Sequence, residues 1–201
     1  MAPLVFLPGA SGRTSFWTPV ADRLADLGPA HRLGWPGFGG VPVEPDVGSL
    51  DGLFRWLVAR LPPGRSHLVA QSMGGVLATR LAIEHPGRVG RLVLVATSGG
   101  LDVGALGAED WRPDYRATLP GVPPWFVTDR TDLTARLGEV AARTLLLWSD
   151  ADPVSPLAVA HRLAARLQDA RLVIVPGGDH LFAEARADEV ALAIRAFLTA
   201  A

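Results

Sequence analysis

A serine, an aspartate and a histidine, each just beyond a short apolar run, are the residues whose types and order could do chemistry. Ser72 lies in Ala70-Gln71-Ser72-Met73-Gly74, after His67-Leu68-Val69-Ala70. Asp150 and Asp152 lie in Ser149-Asp150-Ala151-Asp152-Pro153, after Leu145-Leu146-Leu147-Trp148. His180 closes Gly177-Gly178-Asp179-His180, after Leu172-Val173-Ile174-Val175. A hydroxyl becomes an effective nucleophile when a base takes its proton and an acid orients that base. Taken alone, Ser72 could simply cap a helix. With an acid and a base following in order, each at a strand end, covalent hydrolysis is the better reading.

The surroundings of Ser72 fit a sharp strand-to-helix turn, which needs small residues two positions to either side. Ala70 and Gly74 meet that need, and Gly75 gives the following helix room against the sheet. In such a turn the Met73 N–H, directly after the serine, is a donor for the oxyanion of acyl transfer. Small residues in Pro8-Gly9-Ala10-Ser11-Gly12 allow a second backbone donor. A phosphate loop is the competing reading, but the glycine spacing fits neither common nucleotide motif and the chain has no lysine.

The elements that must position these residues alternate between short β-rich runs and amphipathic helical stretches, the pattern of a parallel sheet covered on both faces. Leu4–Leu7, a weaker run from His31 to Trp35, and the runs ending near Ala70, Ala96, Trp148 and Val175 make six strands. Helices are expected after Thr18, from about Ser49, over 74–84, from Pro156 (capped by Ser155) to Gln168, and at the end of the chain. The last carries Val190, Leu192, Ile194, Phe197 and Leu198. Residues 97–143 are rich in Gly, Pro and aromatics with poor periodicity, and a loop of that length signals a functional insertion.

With 201 residues, 49% of them hydrophobic and 19% charged, the chain suits one globular domain over 1–201. Nineteen basic and twenty acidic residues leave a net charge of −1, so no nucleic-acid partner or polybasic membrane anchor is expected. The absence of cysteine excludes thiol catalysis and disulfides. No signal peptide or membrane span is legible, so a soluble, cytoplasmic protein is expected.

The order Ser72, Asp, His180, each past a strand, resembles the α/β-hydrolase superfamily of serine esterases, lactonases and relatives. The resemblance spans nearly the whole chain. It implies a three-layer sandwich: a mostly parallel sheet of about six strands, helices on both faces and a short cap insertion. Family members usually have two antiparallel strands ahead of the one matched to Leu4–Leu7, so a smaller sheet is expected here. The family's pattern places the acid at Asp152 and gives Asp150 a turn position; some members recruit an acid near Asp102 instead. By match with the family's His-Gly motif the second oxyanion donor is the Ala10 N–H. The segment 97–143 corresponds to a reduced cap of one or two helices. Three positions depart from the pattern: Pro8 stands for His, Gly34 for Asp in the turn Gly34-Trp35-Pro36-Gly37-Phe38-Gly39, and Ala70 for Gly.

The function expected is hydrolysis of a small carboxylic ester or lactone through Ser72, His180 and Asp152, with no metal or cofactor. Gln71, Trp17, Phe38, Trp111, Trp125 and Phe126, with Tyr115, are the candidate substrate contacts; core packing is the competing role for each aromatic. The same triad supports thioester or C–C bond hydrolysis, peracid formation and acyl transfer, and a non-catalytic ligand-binding member is the third alternative. With so short a cap, an open apolar cleft accepting short to medium acyl chains is expected.

Overall fold

The computed structural model describes residues 2–118 and 122–200. Six parallel strands form one sheet: β1 (Leu4–Leu7), β2 (Ala30–Arg32), β3 (Ser66–Gln71), β4 (Val89–Val95), β5 (Thr144–Ser149) and β6 (Ala170–Val175). Their order is β2-β1-β3-β4-β5-β6. The register runs Leu4↔Ala30, Leu7↔Ala70, Gln71↔Val95, Val95↔Leu147 and Ser149↔Val175. All-parallel strands need cover on both faces, which is why their apolar runs are continuous rather than alternating with polar residues.

The period of two sends neighbours to opposite cores. Val5, Leu7, Leu68, Ala70, Leu92, Leu94, Leu146 and Trp148 pack with α2 (Leu50–Arg60), α3 (Met73–Glu84) and α6 (Leu157–Arg166). Leu4, Phe6, Val69, Val93, Val95, Leu145 and Leu147 pack on the other side with α1 (Thr18–Arg23) and, near the C-terminus, α7 (Phe182–Ala185) and α8 (Ala187–Thr199). Burying each of the Val, Leu and Phe side chains among these favours folding by ~1.5–3 kcal/mol. Two further helices, α4 (Arg112–Thr118) and α5 (Pro124–Thr128), lie in the long β4–β5 connection.

Two local expectations are corrected. The second strand ends at Arg32 instead of continuing to Trp35, because the chain turns and buries the Trp35 indole against the loop after β1. Helix α6 starts at Leu157 with Pro156 in the cap position, since the Ser155 hydroxyl bonds to the Thr97 carbonyl and not to the helix end. Leu192 is 69% exposed, because two residues on from Val190 it falls off the stripe of Val190, Ile194 and Phe197.

Strand order reverses direction at β1: the next strand in sequence lies to one side and β3 to the other. The crevice outside the carboxyl ends of such strands is where open α/β sheets bind ligands. Ser72 follows the end of β3, and Gly9 and Ala10 follow the end of β1.

Candidate active site

Ser72 joins β3 to α3 with φ 50° and ψ −120°, a left-handed state for a non-glycine residue. Such a backbone costs ~1–3 kcal/mol and persists only where its surroundings impose it. Here the Ser72 N–H donates to Val95 O at 3.1 Å and its carbonyl accepts from the Gly75 N–H at 2.9 Å. The hydroxyl does not cap α3, so it is left to other partners. Packing explains the small neighbours: a Cβ on Gly74 would sit 2.6 Å from Pro8 O and 2.7 Å from Leu7 O. One on Gly9 would sit 3.1 Å from Ser72 Cβ, which shows how closely the β1 loop approaches the serine.

His180 bridges Ser72 and Asp152. Its Nε2 lies 3.1 Å from Ser72 Oγ and its Nδ1 lies 2.8 Å from Asp152 Oδ2. A carboxylate at Nδ1 holds the proton there and leaves the Nε2 lone pair facing the hydroxyl. The Asp152 side chain is fully buried, whereas that of His180 is 21% exposed, so solvent reaches the imidazole while the acid stays dry. The other Asp152 oxygen, Oδ1, accepts the N–H groups of Val154 at 2.9 Å and Ser155 at 3.0 Å. These two amides orient the carboxylate. Asp150 is exposed and accepts the Gly177 N–H at 2.6 Å, bracing the loop that carries His180. Asp102 accepts the Gly104 N–H at 3.2 Å within its own turn.

Two amides are expected from the sequence to serve as oxyanion donors: that of Met73, next in the chain to Ser72, and that of Ala10, in the loop after β1. Met73 begins α3, so its N–H has no acceptor within the helix and lies at the positive end of the dipole. The Ala10 N–H belongs to the Gly9–Ala10 peptide, whose carbonyl accepts from Gly12 N–H at 3.1 Å and from the Trp35 indole N–H at 3.2 Å. In a trans peptide the N–H opposes the C=O, so holding the Gly9 carbonyl on the Trp35 side turns the Ala10 N–H the other way. The sequence assigns Trp35 only to a strand end and a turn; fully buried in the fold, its indole must find a partner for its N–H, and the loop after β1 supplies it. The carbonyl of Ala10 itself accepts the Tyr115 hydroxyl at 2.6 Å, and burial pushes that phenol well above its ordinary pKa, keeping it a donor.

The aromatic candidates divide. Phe38 contacts Trp125 and Phe126 with ring centroids 5.8 Å apart in each case, and Trp111 stacks on Phe126 at 5.2 Å. Tyr115 meets the edge of both Trp111 and Phe126. Because Tyr115 also bonds to Ala10, this cluster adjoins the β1 loop. Trp17 lies apart, packed on Phe6 and Phe16 across the sheet with its indole on Leu7 O at 2.9 Å. Gln71 is buried and donates from Nε2 to the His180 carbonyl at 3.2 Å, tying the histidine loop to the end of β3. Among the described residues no cluster of His, Asp and Glu could hold a metal ion, and no helix is long and apolar enough to cross a membrane.

With the sheet, the turn and the hydrogen-bonded Ser–His–Asp set in place, comparison with known proteins defines the class. The family model described as the alpha/beta hydrolase fold matches residues 2–135, and the chain belongs to that family. A second model, described as TAP-like protein, matches residues 123–201. Among curated relatives, the pimeloyl-[acyl-carrier protein] methyl ester esterase of Nitrosomonas europaea is 28% identical over 223 aligned residues, covering 88% of each chain. The 2-hydroxy-6-oxo-6-phenylhexa-2,4-dienoate hydrolase of Comamonas testosteroni is 26% identical, covering 90% of this chain and 81% of its own. Among solved structures, a hydrolase from Pseudomonas aeruginosa superimposes with a TM-score of 0.80 at 23% identity, over 99% of this chain and 90% of that one.

Proposed function

We propose that this protein is a serine hydrolase that cleaves a small carboxylic ester or lactone through an acyl-enzyme. Ser72 Oγ attacks the carbonyl carbon while His180 Nε2 takes its proton; Asp152 stabilises the imidazolium. The tetrahedral oxyanion is held by the Met73 and Ala10 amides, and His180 returns the proton to the departing alkoxide. Water, deprotonated by the same imidazole, then releases the acid and restores the serine. No metal or cofactor is required. The observation that carries this reading is the 3.1 Å approach of His180 Nε2 to Ser72 Oγ, with Nδ1 on a buried carboxylate.

The segment 97–143 serves as a short cap, and its aromatics with Phe38 face the acyl part of the substrate. Solvent exposure of His180 favours an open site and short to medium acyl groups. The esterase among the relatives supports ester chemistry. The dienoate hydrolase among them favours, as a second reading, attack on a carbon–carbon bond beside a ketone by the same triad.

A panel of p-nitrophenyl esters and lactones of graded acyl length, with a fluorophosphonate serine probe, tests the proposal. The wild type should turn over esters and take up the probe, and Ser72→Ala should do neither. Labelling or turnover that survives in Ser72→Ala overturns it.

A further inference from the structure

Behind the triad, a second chain of hydrogen bonds closes it into a ring. Thr97 Oγ1 donates to the carbonyl of Ser72 at 2.6 Å. Ser155 Oγ donates to the carbonyl of Thr97 at 3.3 Å, and the Ser155 N–H reaches Asp152 Oδ1 at 3.0 Å. From Asp152 Oδ2 the path continues through His180 back to Ser72 Oγ. Thr97 and Ser155 are both buried, at 1% and 3% exposure, so neither hydroxyl has ready exchange with water.

We propose that Thr97 is a positioning residue for the oxyanion donor on Met73, and that Ser155 couples it to the loop holding the acid. This rests on the reading of Ser72 as nucleophile. The reason lies in the peptide that Thr97 grips. The Ser72 carbonyl and the Met73 N–H belong to one planar unit, so fixing the oxygen fixes the direction of the amide. Thr97 Oγ1 accepts from the Gly99 N–H at 3.0 Å, which leaves its single proton for Ser72. The Thr97–Ser72 hydrogen bond therefore has one sense.

The fold is shaped to permit this contact. Ala96, just past β4, adopts φ 45° while fully buried, and the bend brings the Thr97 side chain beneath the turn at Ser72. Gly75 makes the room: a Cβ there would fall 2.4 Å from Thr97 Oγ1 and 2.6 Å from its Cβ. Ser155 precedes Pro156, and its hydroxyl is turned to Thr97 and not to the end of α6. Ser72 and Ala96, each with positive φ just past the end of one of two adjacent strands, are thus linked by the hydroxyl of Thr97.

The test is steady-state kinetics on p-nitrophenyl butyrate, with fluorophosphonate labelling, for Thr97→Val, Thr97→Ser, Ser155→Ala and the double variant Thr97→Val/Ser155→Ala. Thr97→Val should lose about tenfold to a hundredfold in kcat with KM held within about twofold, as expected when a transition-state donor is misaligned. Thr97→Ser should recover to within about threefold of wild type, because the hydroxyl and not the methyl carries the effect. The double variant should lose less than the product of the single losses, since both break one ring. Wild-type kcat in Thr97→Val, a loss confined to KM, or Thr97→Ser no better than Thr97→Val would overturn the proposal. Should Thr97→Val not fold, Ser155→Ala decides: a severalfold loss in kcat at constant KM supports it, and wild-type kinetics overturns it. A wild type inert to ester and probe removes the nucleophile reading and this inference together, whereas an active wild type matched by Thr97→Val defeats this inference alone.

Discussion

Trp35 donates its indole N–H to the Gly9 carbonyl at 3.2 Å and to the Pro8 carbonyl at 3.0 Å, clamping the loop after β1 from a residue far along the chain. The Gly9 carbonyl shares its peptide with the Ala10 N–H, as the Ser72 carbonyl shares its peptide with the Met73 N–H. Both proposed oxyanion donors are therefore held through the carbonyl on their far side, one by an indole and one by a hydroxyl. Pro8 and Gly34 stand where the resembled pattern has His and Asp; Trp35, beside Gly34, supplies a hold on this loop from its own side chain.

Trp35→Phe keeps most of the buried volume and removes the donor. Complete loss of an oxyanion donor costs ~10²–10³ in kcat. Misdirecting one should cost less, about tenfold, with KM little changed. Kinetics on a short ester, with a thermal melt to confirm the fold, checks this; unchanged kcat would show that the indole only fills space.

The two aspartates separate cleanly. Asp152→Asn keeps the shape but can present an amide where Nδ1–H needs an acceptor, and the equivalent change in serine proteases lowers kcat by ~10⁴. Asp150→Asn leaves the triad contact intact and loosens only the Gly177 N–H. Its kcat should stay within about threefold of wild type, since the lost contact is an exposed one. Equal losses in the two variants would argue that the loop, and not the buried carboxylate, controls His180.

A pH dependence of stability should trace to His67, well away from the triad. Its Nδ1 accepts the Arg91 N–H at 3.0 Å, and burial together with the Arg91 charge lowers its pKa below the ordinary 6.5. The unfolded chain then binds the proton more readily than the folded one, so stability rises with pH through this window. The contribution is undiminished above the ordinary value and declines as pH falls below it toward the folded pKa. His67→Asn retains an acceptor that does not titrate. Urea midpoints between about pH 7.5 and about pH 5 should therefore fall less in His67→Asn than in wild type; parallel curves would place the sensitivity elsewhere.

Local sequence was sufficient wherever the information lies in one segment. Continuous apolar runs such as Leu92–Val95 and Leu145–Trp148 require cover on both faces, and their alternation with amphipathic stretches specified a parallel sheet of six strands. Ala70, Gly74 and Gly75 around Ser72 announced a tight strand-to-helix turn, and side chains at the two glycines would collide with the end of β1 and with Thr97. What only the tertiary structure decided was where side chains point across long separations. Asp152 and not Asp150 faces His180 because the amides of Val154 and Ser155 turn its carboxylate inward. Trp17 packs on the opposite side of the sheet from Trp125 and Phe126, although all are aromatics near apolar stretches. Gln71 meets the His180 backbone, and Trp35 and Thr97 grip carbonyls on neighbouring strands' loops. Residue type and period determine which element forms and which face it buries. The direction of a buried polar group depends on whichever distant donor or acceptor the packed strands bring within about 3 Å of it.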